Sequence, residues 1–207
     1  KVNLYPLFII MKKLLSFILF SISLWFSAQL DTDHWFAPMV SRASAGQINS
    51  YLYVSTNEII PFEVKIYNNN TLYQTVLVSK GNPQSISIPD QFMITTNQNN
   101  VFTPNSMGLF VKGDKKFYAN FRFAIPNHAE IITSKGLAGI GKTFYVAMAP
   151  NTTSATYVNS TIGFIATEDN TSITLSGYNP NVVFSDGNTA NSLTFTLNKG
   201  QSYLADV

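Results

Sequence analysis

Ser50-Tyr51-Leu52-Tyr53-Val54-Ser55-Thr56 and, after a short break, Phe62-Glu63-Val64-Lys65-Ile66-Tyr67 alternate apolar and polar side chains with a period of two. Successive side chains of a strand point to opposite faces, so this pattern marks strands with one face in a core and the other toward water. The signature recurs at Leu72–Ser79, Gln84–Ile88, Met107–Val111, Lys116–Ala124, Thr143–Met148, Thr161–Thr167, Ser172–Leu175, Leu193–Leu197 and Ser202–Leu204. The separators include Asn68-Asn69-Asn70, Gly81-Asn82-Pro83, Gly113-Asp114, Glu168-Asp169-Asn170, Asn179-Pro180-Asn181, Asp186-Gly187-Asn188 and Asn198-Lys199-Gly200. Gly and Asn tolerate positive φ and Pro presets φ, so these are turn formers. Beyond the first thirty residues no stretch holds a helical period for three turns. Short strands at regular spacing predict an all-β, β-sandwich-like fold.

The composition agrees. Aromatic residues make up 14% of the chain and charged residues 12%, a balance too apolar for disorder. From Gln29 onward there are ten Lys and Arg against eleven Asp and Glu, a net charge of −1. A near-neutral chain offers no electrostatic footprint for nucleic acid. The absence of cysteine excludes thiolate catalysis, cysteine-ligated zinc and disulfide staples.

The start of the chain reads as an export leader. Met11-Lys12-Lys13 is a basic head, Leu14–Phe26 an apolar run of 13 residues, and Ser27-Ala28-Gln29 a small-residue cleavage site. As a helix the run spans ~20 Å, short of the ~30 Å hydrocarbon core. The signal peptide is therefore placed at 11–28, with cleavage between Ala28 and Gln29 and no stable membrane span after its removal. Phe26 at −3 departs from the usual small residue there. Residues 1–10 precede the leader's Met and read as upstream sequence or extra leader.

Asn49–Asn57 resembles Asn159–Asn170, and each is followed by a second strand ending in Tyr-Asn, at Tyr67-Asn68 and Tyr178-Asn179. This predicts two related β units: 29–135 with its lead-in, and 136–207, incomplete at its end. Leu193, Phe195, Leu197, Tyr203 and Leu204 are then the side chains expected to lie exposed on an unfinished sheet.

Three motifs invite chemical readings. Gly136-Leu137-Ala138-Gly139-Ile140-Gly141-Lys142-Thr143 fits the spacing of a phosphate-binding P-loop. That chemistry needs a helix whose N-terminal amides face the phosphates, and Thr143–Met148 alternates like a strand and runs into Pro150. Glu168-Asp169-Asn170-Thr171 offers calcium-type oxygens but no EF-hand spacing, so it reads as a hairpin turn. His34 and His128 are too few for a zinc site, and no G-x-S-x-G elbow accompanies Asp33-His34. His34 and Trp35 read as anchors of the first strand. Asn151, Asn159 and Asn170 open N-x-[ST] sequons and mark exposed loops. No catalytic, cofactor-binding or metal-binding residues are predicted, and no cofactor.

Gly141-Lys142-Thr143-Phe144-Tyr145-Val146, followed by Gly163-Phe164-Ile165-Ala166-Thr167-Glu168-Asp169-Asn170-Thr171-Ser172-Ile173-Thr174-Leu175, resembles the N-terminal domain of IgGFc-binding proteins. The resemblance covers about Leu30 to Val207 and carries no catalytic residues. The leader ending Ser27-Ala28-Gln29 is similar to those of Flavobacteria-type Bacteroidetes. That likeness implies long surface proteins that use type IX secretion. The expectation is a non-catalytic binding or adhesion module, secreted or on the outer cell surface after Sec-type export. Its partner would be an extracellular protein or glycan, not nucleic acid. The alternatives are an accessory domain of an exported hydrolase and a structural spacer.

Overall fold

The computed structural model describes residues 12–13, 29–41, 49–125, 128–147 and 160–207. Among them are thirteen strands and three short 3-10 turns. The strands are β1 (Asp31–Phe36), β2 (Met39–Val40), β3 (Asn49–Ser55), β4 (Phe62–Asn68), β5 (Thr71–Val78), β6 (Gln84–Ser87) and β7 (Ile94–Thr95). They continue with β8 (Leu109–Ile125), β9 (His128–Thr133), β10 (Thr161–Ile165), β11 (Thr171–Ser176), β12 (Ser192–Leu197) and β13 (Ser202–Asp206). The all-β prediction therefore holds.

β8 organises the larger part. It runs for 17 residues and serves four partners. Its first half, Leu109–Gly113, lies between β4 and β1; its second half, Tyr118–Ile125, lies between β3 and β9. The seven-stranded sheet thus folds about β8 into two antiparallel leaves. One leaf has the order β5-β4-β8-β1 and the other β6-β3-β8-β9. Their inward residues form one cluster, including Leu52, Val54, Val64, Ile66, Val111, Phe117 and Phe121, all essentially inaccessible to solvent. Burying each such aliphatic or aromatic side chain favours folding by about 1.5–3 kcal/mol.

The bend in β8 corrects the sequence reading at Gly113-Asp114. A turn was expected there, with strands on either side; the residues instead lie inside one continuous strand. Gly113 faces the core, and a Cβ at that position would sit 2.9 Å from the Phe62 ring and 3.0 Å from that of Phe117. The glycine makes room for two aromatic rings where the sheet folds over.

β2 and β7 pair with each other in parallel, and the last four strands form a long two-stranded ribbon. β10 pairs with β13 and β11 with β12, both antiparallel. The ribbon bends where the β10–β11 connection meets the β12–β13 connection. There the Asn170 amide donates to Asn198 Oδ1 at 3.1 Å, and the Lys199 amide donates to Asp169 Oδ1 at 3.0 Å. Its cluster contains Ala166, Phe184, Leu193, Leu197, Tyr203 and Ala205, with the Phe195 and Tyr203 rings stacked 3.7 Å apart. The ribbon rests on the sandwich: Asn105 and Ser202 exchange main-chain hydrogen bonds, and Phe102 N–H donates to Leu204 O at 2.9 Å.

The set expected to lie exposed is covered. Leu193, Leu197, Tyr203 and Leu204 are buried, Phe195 is partly buried, and every residue of β13 is buried. Docking on the 102–105 segment and on the ribbon's own partner strands accounts for it.

Candidate functional site

The outward face of the β5-β4-β8-β1 leaf carries an apolar row across three strands. Tyr67 lies opposite Phe110, and Phe110 opposite Trp35. Their rings stack in succession, Trp35 on Phe110 at 5.0 Å and 22°, Tyr67 on Phe110 at 5.7 Å and 28°. All three remain partly exposed. Each is one position out of phase with the core residues of its own strand, which is why alternation turns it outward.

The next row of the same face is charged. Lys65 lies opposite Lys112, and Lys112 opposite Asp33, while Glu63 and Asp114 stand beyond them. Glu63, Lys65, Tyr67, Lys112 and Asp114 line a shallow groove of about 220 Å³. The Lys65–Glu63 pair is 3.4 Å apart and about half exposed, so it is worth little energetically and its charges stay available to a ligand. Around the end of the leaf, Asn68, Asn69, Thr71, Leu72, Tyr73, Phe92 and Ser106 line a second hollow of about 420 Å³.

The residues singled out from the sequence lie elsewhere. Ala28 falls outside the described residues, as does the signal peptide apart from Lys12 and Lys13; Gln29 is exposed, two residues ahead of β1. His34 is completely buried in β1. Its Nε2 lies 2.9 Å from Phe117 O and 3.2 Å from Asp31 O, which makes Nε2 the protonated nitrogen of a neutral ring. Nδ1 is buried without a hydrogen-bond partner. Burial pushes the His34 pKa below its usual value, against the smaller opposing pull of the Phe117 and Asp31 carbonyls and of the Asp31 and Asp33 carboxylates. This is a core histidine anchoring its strand, not a general base. His128 opens β9. Among the described residues no three His, Asp or Glu gather as metal ligands.

The P-loop lookalike has its own structure. Gly136–Gly139 form a 3-10 turn, and Ile140–Ala147 adopt neither helix nor strand. The strand expected over Thr143–Met148 is therefore absent from 143–147, and Met148 lies outside the described residues. Phe144 and Tyr145 are exposed there, and among the described residues no strand pairs with this segment. The Leu137 amide donates to the Asp31 carboxylate at 2.8 Å, and the Gly136 amide to Ser134 Oγ at 3.2 Å. A carboxylate of the chain itself thus stands where a P-loop would receive phosphate, and its charge opposes an incoming anion.

Glu168–Asn170 is a turn, as read, but it does not close a hairpin. β10 and β11 pair with different strands, and the Asp169 carboxylate accepts the Lys199 amide. Its Oδ1 is used to pin the ribbon's bend. Of the sequons, Asn170 lies in a turn with positive φ, and Asn151 and Asn159 fall outside the described residues.

No sequence motif marks the aromatic row. Its members come from segments far apart in sequence and meet through pairing to β8. The available signal was Tyr67, an aromatic on the water side of an otherwise alternating strand.

A family model described as IgGFc binding protein matches residues 131–206, from within β9 through β13. The match makes this part of an all-β chain similar to that family. No curated protein matches the chain, and no solved structure does. The aromatic row lies outside the matched residues, and no helix among the described residues is long and apolar enough to cross a membrane.

Proposed function

We propose that the chain is a non-catalytic adhesion module that works outside the cell and grips a protein partner on the open face of the β5-β4-β8-β1 leaf. The observation that carries this reading is the stacked, partly exposed Trp35–Phe110–Tyr67 row bordered by Asp33, Lys112, Lys65 and Glu63. Tyr and Trp are enriched at interface hot spots, and a charged rim gives orientation and partner choice. Phe110 stacks with both Trp35 and Tyr67, and the charges beside the row suit the side chains of a protein partner. The family match supports a binding role. Export would remove the leader between Ala28 and Gln29, by the route that the Bacteroidetes-like leader suggests; N-terminal sequencing of exported protein should begin at Gln29.

The family description names the Fc of immunoglobulin G, so Fc heads the probe panel, followed by other serum and matrix proteins. By surface plasmon resonance one of these should bind saturably, and Tyr67→Ala or Trp35→Ala should weaken it at least tenfold, about 1.4 kcal/mol. Saturable binding untouched by either substitution would move the site away from this leaf. No binding across the panel would sink the protein-partner reading.

A second reading, a glycan ligand, is favoured by the hollow at Asn68, Asn69, Thr71, Tyr73 and Phe92, which mixes amides, a hydroxyl and aromatic rings. A glycan array with Asn69→Ala as control tests it.

A further inference from the structure

The outward face of the β6-β3-β8-β9 leaf has a different chemistry from the aromatic row. Its neighbours Leu52, Val54, Ala119 and Phe121 are buried in the core, so alternation turns Tyr51 and Tyr53 of β3 outward, with Asn120 and Arg122 of β8. Arg122 lies directly opposite Tyr51 on one side and Ile131 of β9 on the other. Tyr53 lies opposite Asn120 and Ser85. The face is open: Tyr53 is 38% exposed, Ile131 64%, and Arg122 partly so. Among the described residues Arg122 makes no salt bridge and no side-chain hydrogen bond. It is also the one charged side chain that these four strands place on this face. Glu130 is out of phase with Ile131 and takes the opposite side. Asn120 Oδ1 accepts from Thr133 Oγ1 at 2.7 Å, which leaves the amide hydrogens of Asn120 for another acceptor.

We infer that this face binds a saccharide that bears carboxylates, with Arg122 holding the carboxylate. A guanidinium presents its N–H groups as a planar fork, which matches a carboxylate through two parallel hydrogen bonds. Neither Tyr51 nor Ile131 offers it an anion, so the charge complement comes from the ligand. The groups around the fork are neutral donors and acceptors: the hydroxyls of Tyr51, Tyr53 and Ser85 and the Asn120 amide. A sugar acid matches that proportion, since it carries several hydroxyls for each carboxylate. The Tyr51 and Tyr53 rings, 6.2 Å apart and tilted by 37°, add apolar surface for the C–H side of a sugar ring. An acidic peptide fits less well. β3 and the second half of β8 are paired on both sides, so their main chains have nothing to give an extended peptide, and recognition falls to side chains alone.

Biolayer interferometry of the purified chain tests this with immobilised polygalacturonate, hyaluronan and sialyllactose, beside the carboxyl-methyl esters of the same three. At least one acidic form should bind saturably and its ester should not. Arg122→Gln should weaken that binding at least tenfold, and Arg122→Lys, which keeps the charge without the fork, should fall between. No binding to any of the three would overturn the inference, as would binding that the esters retain or that Arg122→Gln leaves intact. Polyglutamate that competes through Arg122 would make the ligand an acidic peptide and reject the saccharide. Loss of binding with Trp35→Ala but not with Arg122→Gln would move the ligand to the other leaf. Should Arg122→Gln fail to fold, Ile131→Glu replaces it. This sets a carboxylate directly opposite Arg122, at an exposed position, and occupies the fork from within the chain. Saccharide binding that survives in that folded variant rejects the site.

Discussion

The sandwich and the ribbon are both antiparallel β, yet they hold themselves together differently. In the sandwich one strand, β8, is flanked on both sides along its length, and the core lies between two leaves. Among the described residues the ribbon is two strands wide throughout. A two-stranded ribbon in water is marginal by itself, so this one takes its order from a bent shape that encloses a small cluster and from docking on the sandwich. Asn105, Phe102, Pro38 and Asn70 all serve as its floor. The lesson is one of dependence: the ribbon should fail when the sandwich fails, whereas the sandwich should outlast the ribbon.

The largest break is at the centre of the sandwich. Phe117→Ala removes a ring that is fully buried against His34 and Phe62. The expected loss is about 3–5 kcal/mol, and hydrogen exchange should report unprotected amides in β3, β4 and β8 and in β10–β13 together. Protection retained in the ribbon would show that it stands alone.

The reverse experiment acts on the docking. Gly163 lies so close to the sandwich that an added Cβ would sit 2.3 Å from Pro38 O. Gly163→Val should cost about 1–3 kcal/mol through overpacking. It should open β10–β13 to exchange while β3, β4 and β8 stay slow. Equal loss in both regions would make the molecule a single cooperative unit.

Titration sharpens the contrast. The sandwich buries His34 in its neutral form, with a lowered pKa. Because the unfolded histidine takes up a proton near about pH 6.5 and the folded one resists, the stabilisation is complete above that pH and is lost as pH falls below it. The ribbon buries Tyr203, whose pKa is raised first by desolvation and then by Asp186. Its stabilisation is complete below about pH 10 and is lost as pH rises beyond that. Acid should thus weaken the sandwich and take the dependent ribbon with it, whereas alkali should weaken the ribbon first. Urea midpoints read by Trp35 fluorescence, and by exchange in β13, should fall together on the acid side and separate on the alkaline side. A His34→Phe variant whose midpoint falls as steeply between pH 7.5 and 5.5 as wild type would remove His34 from the account.

The smallest expected effect is at Lys142, which is exposed and outside any regular element. Lys142→Ala should change stability by less than about 0.5 kcal/mol and leave nucleotide affinity at background. Magnesium-dependent ATP binding that vanished with this substitution would restore the P-loop reading.

Local pattern was enough to locate β3, β4, β5, β10 and β12, because the period-two alternation is written into a few consecutive side chains and survives whatever the neighbours are. It also placed the turns at Asn68–Asn70 and Glu168–Asn170, where Asn69, Asn70 and Asn170 do adopt positive φ. Non-local packing decided the rest. Gly113 looks like a turn in sequence and is a gap for two rings in space. β1 and β9 hardly alternate and become strands because β8 offers its edges. Leu193 and Leu204 looked exposed so long as the ribbon was imagined without its floor. The Trp35–Phe110–Tyr67 row came into being when β1 and β4 chose opposite sides of β8. Alternation says which face a residue takes within its own strand; strand order and register, set by the packing of the whole core, decide which residues share that face.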